Sequence, residues 1–289
     1  MQVTKGIILA GGAGSRLYPL TVATNKHLLP LYSKPVIYYS LSTLMLAGIR
    51  DVLIISSKDS LPHIERLLGT GEKFGIKCSY CVQKEPNGLP EAFILAEEFL
   101  NNRPSMLILG DNFFYGNTLG NLLQSGINTA NGAHLFLHPV QNPSAYGVAT
   151  LDDKQSIQTV IEKPKNYASD LAITGLYLFD QTAPCYAKTL KPSDRGEIEI
   201  TDLIRIYLRE NRVSYSTLGR GYTWYDTGTP ASILQVSNFV KIIETRQGLL
   251  ISSPEEIALR LGYISKEQFH YLIEKMPDCL YKNCLKHFS

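Results

Sequence analysis

The chain has 289 residues, is 44% hydrophobic and 19% charged, and carries a formal net charge of +2. That balance argues against nucleic acid as a main partner, which draws a concentrated basic face, and no apolar run approaches the ~20 residues of a membrane span. Five scattered cysteines form no disulfide framework, and the apolar run Gly6–Ala10 is too short for a secretory h-region, so a cytoplasmic protein is expected.

The first half alternates short apolar runs with segments of helical spacing. Gly6–Ala10 reads as a strand and runs into the loop GGAGSR, residues 11–16. A glycine-rich turn after a strand can aim its N–H groups at an anion. It is neither a Walker A loop, lacking Gly-Lys-Ser/Thr, nor the dinucleotide fingerprint, whose third glycine is Leu17 here. Asn25–Pro30 follows with Lys26 and His27. PVIYYSLSTLMLAGI, from Pro35, predicts a buried helix, and Val52–Ser56 a strand. DSLPHIERLLG predicts a helix with an aspartate cap, a proline in its first turn and a terminal glycine. Ile76–Val82 is the next strand, where Cys78 and Cys81, three apart, should point to opposite faces. LPEAFILAEEFL predicts one helix that buries Ala92, Leu95, Ala96 and Phe99. Met106–Leu109 and Ala133–Pro139 are further strands, His134 and His138 sharing one face of the latter as ordinary sheet residues. Beyond Tyr146 the rhythm changes to two strands around an Asp-Asp turn, a strand over LAITGLYLF, and helices at 199–210 and 231–246. The last forty residues read as a helical appendage. Alternating strands and helices predict a mostly parallel sheet with helices on both faces.

Ligands in such sheets bind beyond the carboxyl ends of the strands. Gly11, Gly12, Gly14 and Arg16 fall there together, and the guanidinium offers a permanently charged donor fork to phosphate. Lys26 can reach the same anion as a point charge. In LGDN a buried strand delivers Asp111 at its tip, and Asp226 sits in WYDTGT beside the only tryptophan. Each aspartate alone is as readily a turn residue, but the pair suits magnesium, which takes one or two carboxylates plus phosphate oxygens. Glu162 and Lys163 end a strand, where neighbours face opposite ways. Read locally, they are an exposed charged pair before a proline turn.

The strings LAGGAGSRLYPLT, NKHLLP, LGDN, YGV, EKP, TGLY, GEIEITD and WYDTGT occur in the order found in sugar nucleotidyltransferases. From about Lys5 to Arg260 the chain resembles the glucose-1-phosphate thymidylyltransferase branch of that family. The resemblance implies a Rossmann-like α/β fold of mostly parallel, mixed sheet. A nucleotidyltransferase domain would span 1–245, with nucleotide binding in about 1–140 and a β-rich sugar-phosphate part in about 141–245. A helical extension, 246–289, would serve an interface or regulation. The implied activity is thymidylyl transfer from dTTP to glucose 1-phosphate, with Mg2+, feeding deoxysugars such as rhamnose.

The resemblance also assigns residues. Arg16, Lys26 and Lys163 would be catalytic. Gly11, Gly12, Gly14, Ser15, Arg16, Lys26, His27, Gln83, Pro86, Gly88 and Asp111 would hold the nucleotide, with Gln83, Pro86 and Gly88 reading the base. Asn112, Tyr146, Gly147, Glu162, Lys163 and Ile173 would hold the sugar phosphate, and Asp111 and Asp226 the metal. A homotetramer is implied, with a regulatory nucleotide site at Tyr115, Gly116, Arg220, Glu256 and Arg260. The chain departs from the family pattern at His27, where glutamine is common, at Ser40, where proline is common, and in GLPEA beside the base segment. These leave two rivals: a UTP- or CTP-dependent enzyme of the same fold, and a sugar-nucleotide sensor that binds without turnover. A sensor has no need of both metal carboxylates.

Overall fold

The structure is a computed structural model describing residues 2–288. Apart from a two-residue pair, Pro30–Leu31 against Lys34–Pro35, the strands are β1 (Lys5–Ala10), β2 (Asp51–Ser57), β3 (Lys77–Gln83), β4 (Ser105–Leu109), β5 (Asn112–Gly116), β6 (Ala133–Pro139), β7 (Val148–Leu151), β8 (Ile157–Ile161), β9 (Leu171–Phe179), β10 (Val213–Thr217) and β11 (Tyr222–Asp226). The helices are α1 (Val36–Leu46), α2 (Leu61–Leu68), α3 (Glu91–Leu95), α4 (Glu97–Leu100), α5 (Leu119–Thr129), α6 (Ala183–Ala187), α7 (Ile200–Arg209), α8 (Pro230–Gln247), α9 (Pro254–Arg260), α10 (Lys266–Lys275) and α11 (Leu280–Leu285).

The main sheet runs β8-β7-β9-β4-β1-β2-β3, with β6 against β9 and β10 against β6. Strands β4, β1, β2 and β3 are parallel, and β9 joins antiparallel to β4. Strand β1 is buried on both faces. Its alternation sends Ile8 into a core with α1, α2 and α5, and Ile7 into a second core with α3, α6 and α7. The expected parallel sheet with helices on both faces is therefore present, continued by an antiparallel half. Helix α1 buries ten consecutive residues, Val36 to Met45, as an all-round apolar helix must.

Two local expectations are corrected. Helix α2 starts at Leu61 with Ser60 at its N-cap and no capping side chain, so Asp59 stands one residue too early to reach the first-turn N–H groups. LPEAFILAEEFL divides at Ala96 into α3 and α4. Its buried residues are Pro90, Ala92, Phe93, Ala96 and Leu100, and Phe93 packs edge-on against Phe179 at 5.1 Å between ring centres.

The C-terminal helices are built into the first core: Ile257, Ala258, Phe269, Ile273 and Leu285 pack within it. Helix α8 runs unbroken through residue 245 to Gln247. A buried ion pair fastens the junction, Lys34 Nζ donating to Glu244 Oε1 at 2.7 Å while Ile251 N–H donates to the same oxygen at 2.8 Å. Glu255, buried nearby, accepts from the Tyr281 hydroxyl at 2.5 Å, which ties α11 to α9. Removing one member of a buried pair strands the other charge, so Lys34→Ala is expected to cost about 3–5 kcal/mol in urea unfolding. A loss below about 1 kcal/mol would mean that water already screens the pair, as at a surface ion pair.

Candidate active site

A cleft of about 540 Å³ opens beyond the carboxyl ends of β1 and β4. It is lined by Gly11, Gly12, Arg16, Lys26, Gln83, Pro86, Gly88, Asp111, Asn112, Tyr146, Gly147, Glu162, Lys163, Ile173 and Asp226, all singled out from the sequence. The glycine loop leaves β1 with Gly12 and Gly14 at φ +86° and +62°, a region that other residues enter only under strain. At Gly11 a Cβ would collide with Gln83 Oε1.

Asp111 is only 7% exposed. Burial disfavours its charge, but Lys26 Nζ, donating to Oδ2 at 2.5 Å, outweighs this and holds the carboxyl well below the usual range. The Asn112 amide donates to Oδ1 at 3.2 Å. Asp226 reaches the same place from β11. The ribbon β5–β11 pairs Asp226 with Asn112, and Thr227 N–H donates to the Asp111 carbonyl at 2.9 Å. Burial, then the nearby Asp111 charge, raise the Asp226 pKa, while Arg16 approaches its Oδ2 at 3.4 Å. The Ser40 hydroxyl lies 3.1 Å from the Leu109 carbonyl and 3.3 Å from that of Asn112, bracing the turn that carries Asp111.

At the other end of the cleft, Glu162 and Lys163 lie past β8, with Lys163 at φ +41°. The left-handed turn abolishes the strand alternation expected of them, and both side chains line the same cavity. Burial, then the neighbouring Glu199, raise the Glu162 pKa. Trp224 forms the wall between the two ends, its Nε1 donating to Asn112 Oδ1 at 2.6 Å and its ring 5.0 Å from that of Tyr146.

Gly14, Ser15 and His27 are not in the cleft lining. Gly14 begins the short 3-10 turn Ser15–Leu17, and Ser15 faces solvent. His27 is 1% exposed, with Nδ1 2.6 Å from Asn25 Oδ1 and its ring against Gly110. Burial, then the neighbouring Lys26, lower its pKa to about 3. A buried neutral ring braces the loop and stands outside the cleft lining.

Arg195, Glu197, Glu199 and Thr201 also line the cleft. The motif GEIEITD covers three of them but gave no role to any. Arg195 lies 3.6 Å from Glu162, Glu197 and Glu199 in turn, and only the folded loop brings them together.

A second cavity of about 570 Å³ is lined in part by Tyr115, Gly116, Glu256 and Arg260. Arg220 is absent from that lining, standing on the exposed turn before β11. Glu256 and Arg260 pair with each other at 3.2 Å.

The model of the nucleotidyl transferase family matches residues 5–242, a strand, loop and carboxylate order that contains the whole cleft. The glucose-1-phosphate thymidylyltransferase of Neisseria meningitidis serogroup A is 47% identical over 277 residues, 96% of each chain. A Bacillus anthracis crystal structure assigned the same enzyme name, solved with sucrose, superposes with a TM-score of 0.75 at 40% identity, covering 81% of this chain and 94% of that one. A UDP-glucose pyrophosphorylase bound to UDP-glucose has the same fold, with a TM-score of 0.75 at 23% identity over 84% of this chain and all of its own. The chain belongs to the nucleotidyl transferase family, in its glucose-1-phosphate thymidylyltransferase branch.

Lys26→Met removes the cation and leaves the burial, so the Asp111 carboxyl is expected to titrate at a higher pH than in the wild type. Carboxyl NMR reads this directly. An unmoved titration would show that Lys26 does not set the charge of Asp111.

Proposed function

We propose that the chain transfers a thymidylyl group from dTTP to glucose 1-phosphate, giving dTDP-glucose and pyrophosphate. One observation carries this reading: two sets of cations, Arg16 with Lys26 and Lys163 with Arg195, share one cleft, the first set beside Asp111 and Asp226 and the second beside Glu162 and Glu199. Such a cleft suits two phosphorylated substrates at once.

The glycine loop, Arg16 and Lys26 take the triphosphate, and Gln83, Pro86 and Gly88 take the base. Lys163 and Arg195 meet the sugar phosphate, and Glu162 accepts from sugar hydroxyls. An oxygen of glucose 1-phosphate attacks the α-phosphorus in line. The bond from that phosphorus to the α–β bridging oxygen breaks, and pyrophosphate leaves with the electron pair. The sugar phosphate oxygen is itself the nucleophile, so the reaction needs none from the protein. Positioning and charge stabilisation lower the barrier.

Asp111 and Asp226 fit a magnesium ion, being neighbouring carboxylates in a cleft that admits phosphate oxygens. When bound, such an ion neutralises charge on the phosphate oxygens. We further propose cytoplasmic action, a product that feeds deoxysugars such as rhamnose, and assembly into a homotetramer with regulation at the second cavity. Exposed Leu234, Ile242, Leu249, Tyr271 and Leu280 on the C-terminal helices and their connection support an interface.

The test is pyrophosphate release from dTTP, UTP and CTP, each with glucose 1-phosphate. dTTP is expected to lead UTP by about 10–200-fold in kcat/KM, the worth of one methyl in a pocket. Arg16→Ala is expected to lose roughly 100-fold or more with dTTP. A preference for UTP would overturn thymidylyl specificity, and near-normal turnover in Arg16→Ala would remove that residue from the reaction.

A further inference from the structure

Gln83 ends β3 and is 5% exposed. Its Nε2 donates to Glu91 Oε2 at 2.7 Å, and the other oxygen of that carboxylate accepts from Asn87 Nδ2 at 2.8 Å. A carboxylate has no hydrogen to give, so it cannot pair with an amide oxygen. An amide that is free to turn would present either its oxygen or its nitrogen to a ligand, but here Glu91 removes the choice. Gln83 Oε1 is held on the cleft side, over Gly11, where a Cβ would collide with it. Among the described residues no side chain or loop N–H is found donating to that oxygen.

The neighbouring backbone is fixed as well. Ile198 N–H donates to the Asn87 carbonyl at 2.8 Å, and Gly88 pairs with Ile198 as an isolated bridge. Glu91 therefore stands on a segment tied to the opposite side of the cleft and has little freedom to follow a turning amide.

We infer that Glu91 is a specificity-determining positioning residue that fixes Gln83 as a hydrogen-bond acceptor toward the base. This rests on the proposed reading in which Gln83 meets the nucleotide base. Thymine and uracil carry an N–H at ring position 3, which an acceptor satisfies. Cytosine carries a lone pair there, which faces the Gln83 oxygen without a proton between them. To bind cytosine the amide must turn, and turning sets oxygen against the Glu91 carboxylate. Discrimination thus comes from a residue that does not itself touch the base.

Glu91→Gln tests this, since a second amide can accept from or donate to Gln83 and so satisfies both of its orientations. Pyrophosphate release with dTTP, UTP and CTP is measured at saturating glucose 1-phosphate for the wild type, Glu91→Gln and Asn87→Ala. The CTP/dTTP ratio of kcat/KM is expected to rise by about tenfold or more in Glu91→Gln, mainly through KM. The UTP/dTTP ratio is expected to stay within about twofold, because uracil and thymine share the same pairing edge. Asn87→Ala, at an exposed position that frees the carboxylate, is expected to shift the CTP/dTTP ratio less and in the same direction; it carries the test if Glu91→Gln does not fold. A CTP/dTTP ratio unchanged in both variants, or a loss shared equally by all three nucleotides, overturns the inference. A wild type that releases no pyrophosphate from any triphosphate defeats the reading of the activity instead. The ratio of CTP to dTTP dissociation constants, measured calorimetrically on the same proteins, then decides the role of Glu91 separately.

Discussion

A carboxylate that is 7% exposed has to be neutralised, and in this chain Lys26 does it for Asp111 across 85 residues of sequence. The pair ties the segment after the glycine loop to the turn after β4, so the two sides of the cleft are set against each other before any ligand arrives. Breaking a buried pair by removing one partner costs several kcal/mol. An anionic group entering the cleft can offer Lys26 a replacement partner, which turns a costly separation into an exchange. The second pair differs. Arg16 is 63% exposed and 3.4 Å from Asp226, an arrangement that exchanges at little cost. One ion pair thus holds the site in shape, and the other is ready to yield to substrate.

The topology explains how distant residues meet. β1 and β4 are adjacent and parallel, so the glycine loop and the Asp111 turn leave the sheet side by side. The ribbon β5–β11 then folds back over that edge and sets Asp226 opposite Asn112. Asn112 accepts from Trp224 and from Gly175 N–H while donating to Asp111, so one buried amide joins the pocket wall, β9 and the acidic centre. Its polar atoms are largely engaged within the protein, which makes it a support for the site.

Much of this was legible in the sequence where the signal is local. The apolar run into Gly11–Gly14 and the strand that delivers Asp111 on the turn beyond Leu109 carry their meaning within ten residues, and both lie where the alternation of strands and helices put them. The splitting of α3 from α4, the missing cap on α2 and the turn at Lys163 depend on packing and on backbone angles that composition does not record. His27 illustrates the limit. It lies in sequence beside Lys26, which lines the cleft, yet its ring turns inward against Gly110, because the short 3-10 turn Lys26–Leu28 separates the two side chains. Arg195 and Glu199 could be assigned only once the loop from 193 to 199 closed on Glu162.

The central claim is that this cleft performs one in-line displacement between two bound phosphates, with no covalent intermediate on the protein. The most direct measurement uses dTTP carrying sulfur in one stereochemical position on the α-phosphorus, with the configuration of the resulting thio-dTDP-glucose read by phosphorus NMR. A single displacement inverts that centre, and inversion is the expected result. Retention would require two successive displacements through a bond to a protein side chain, and would contradict the account.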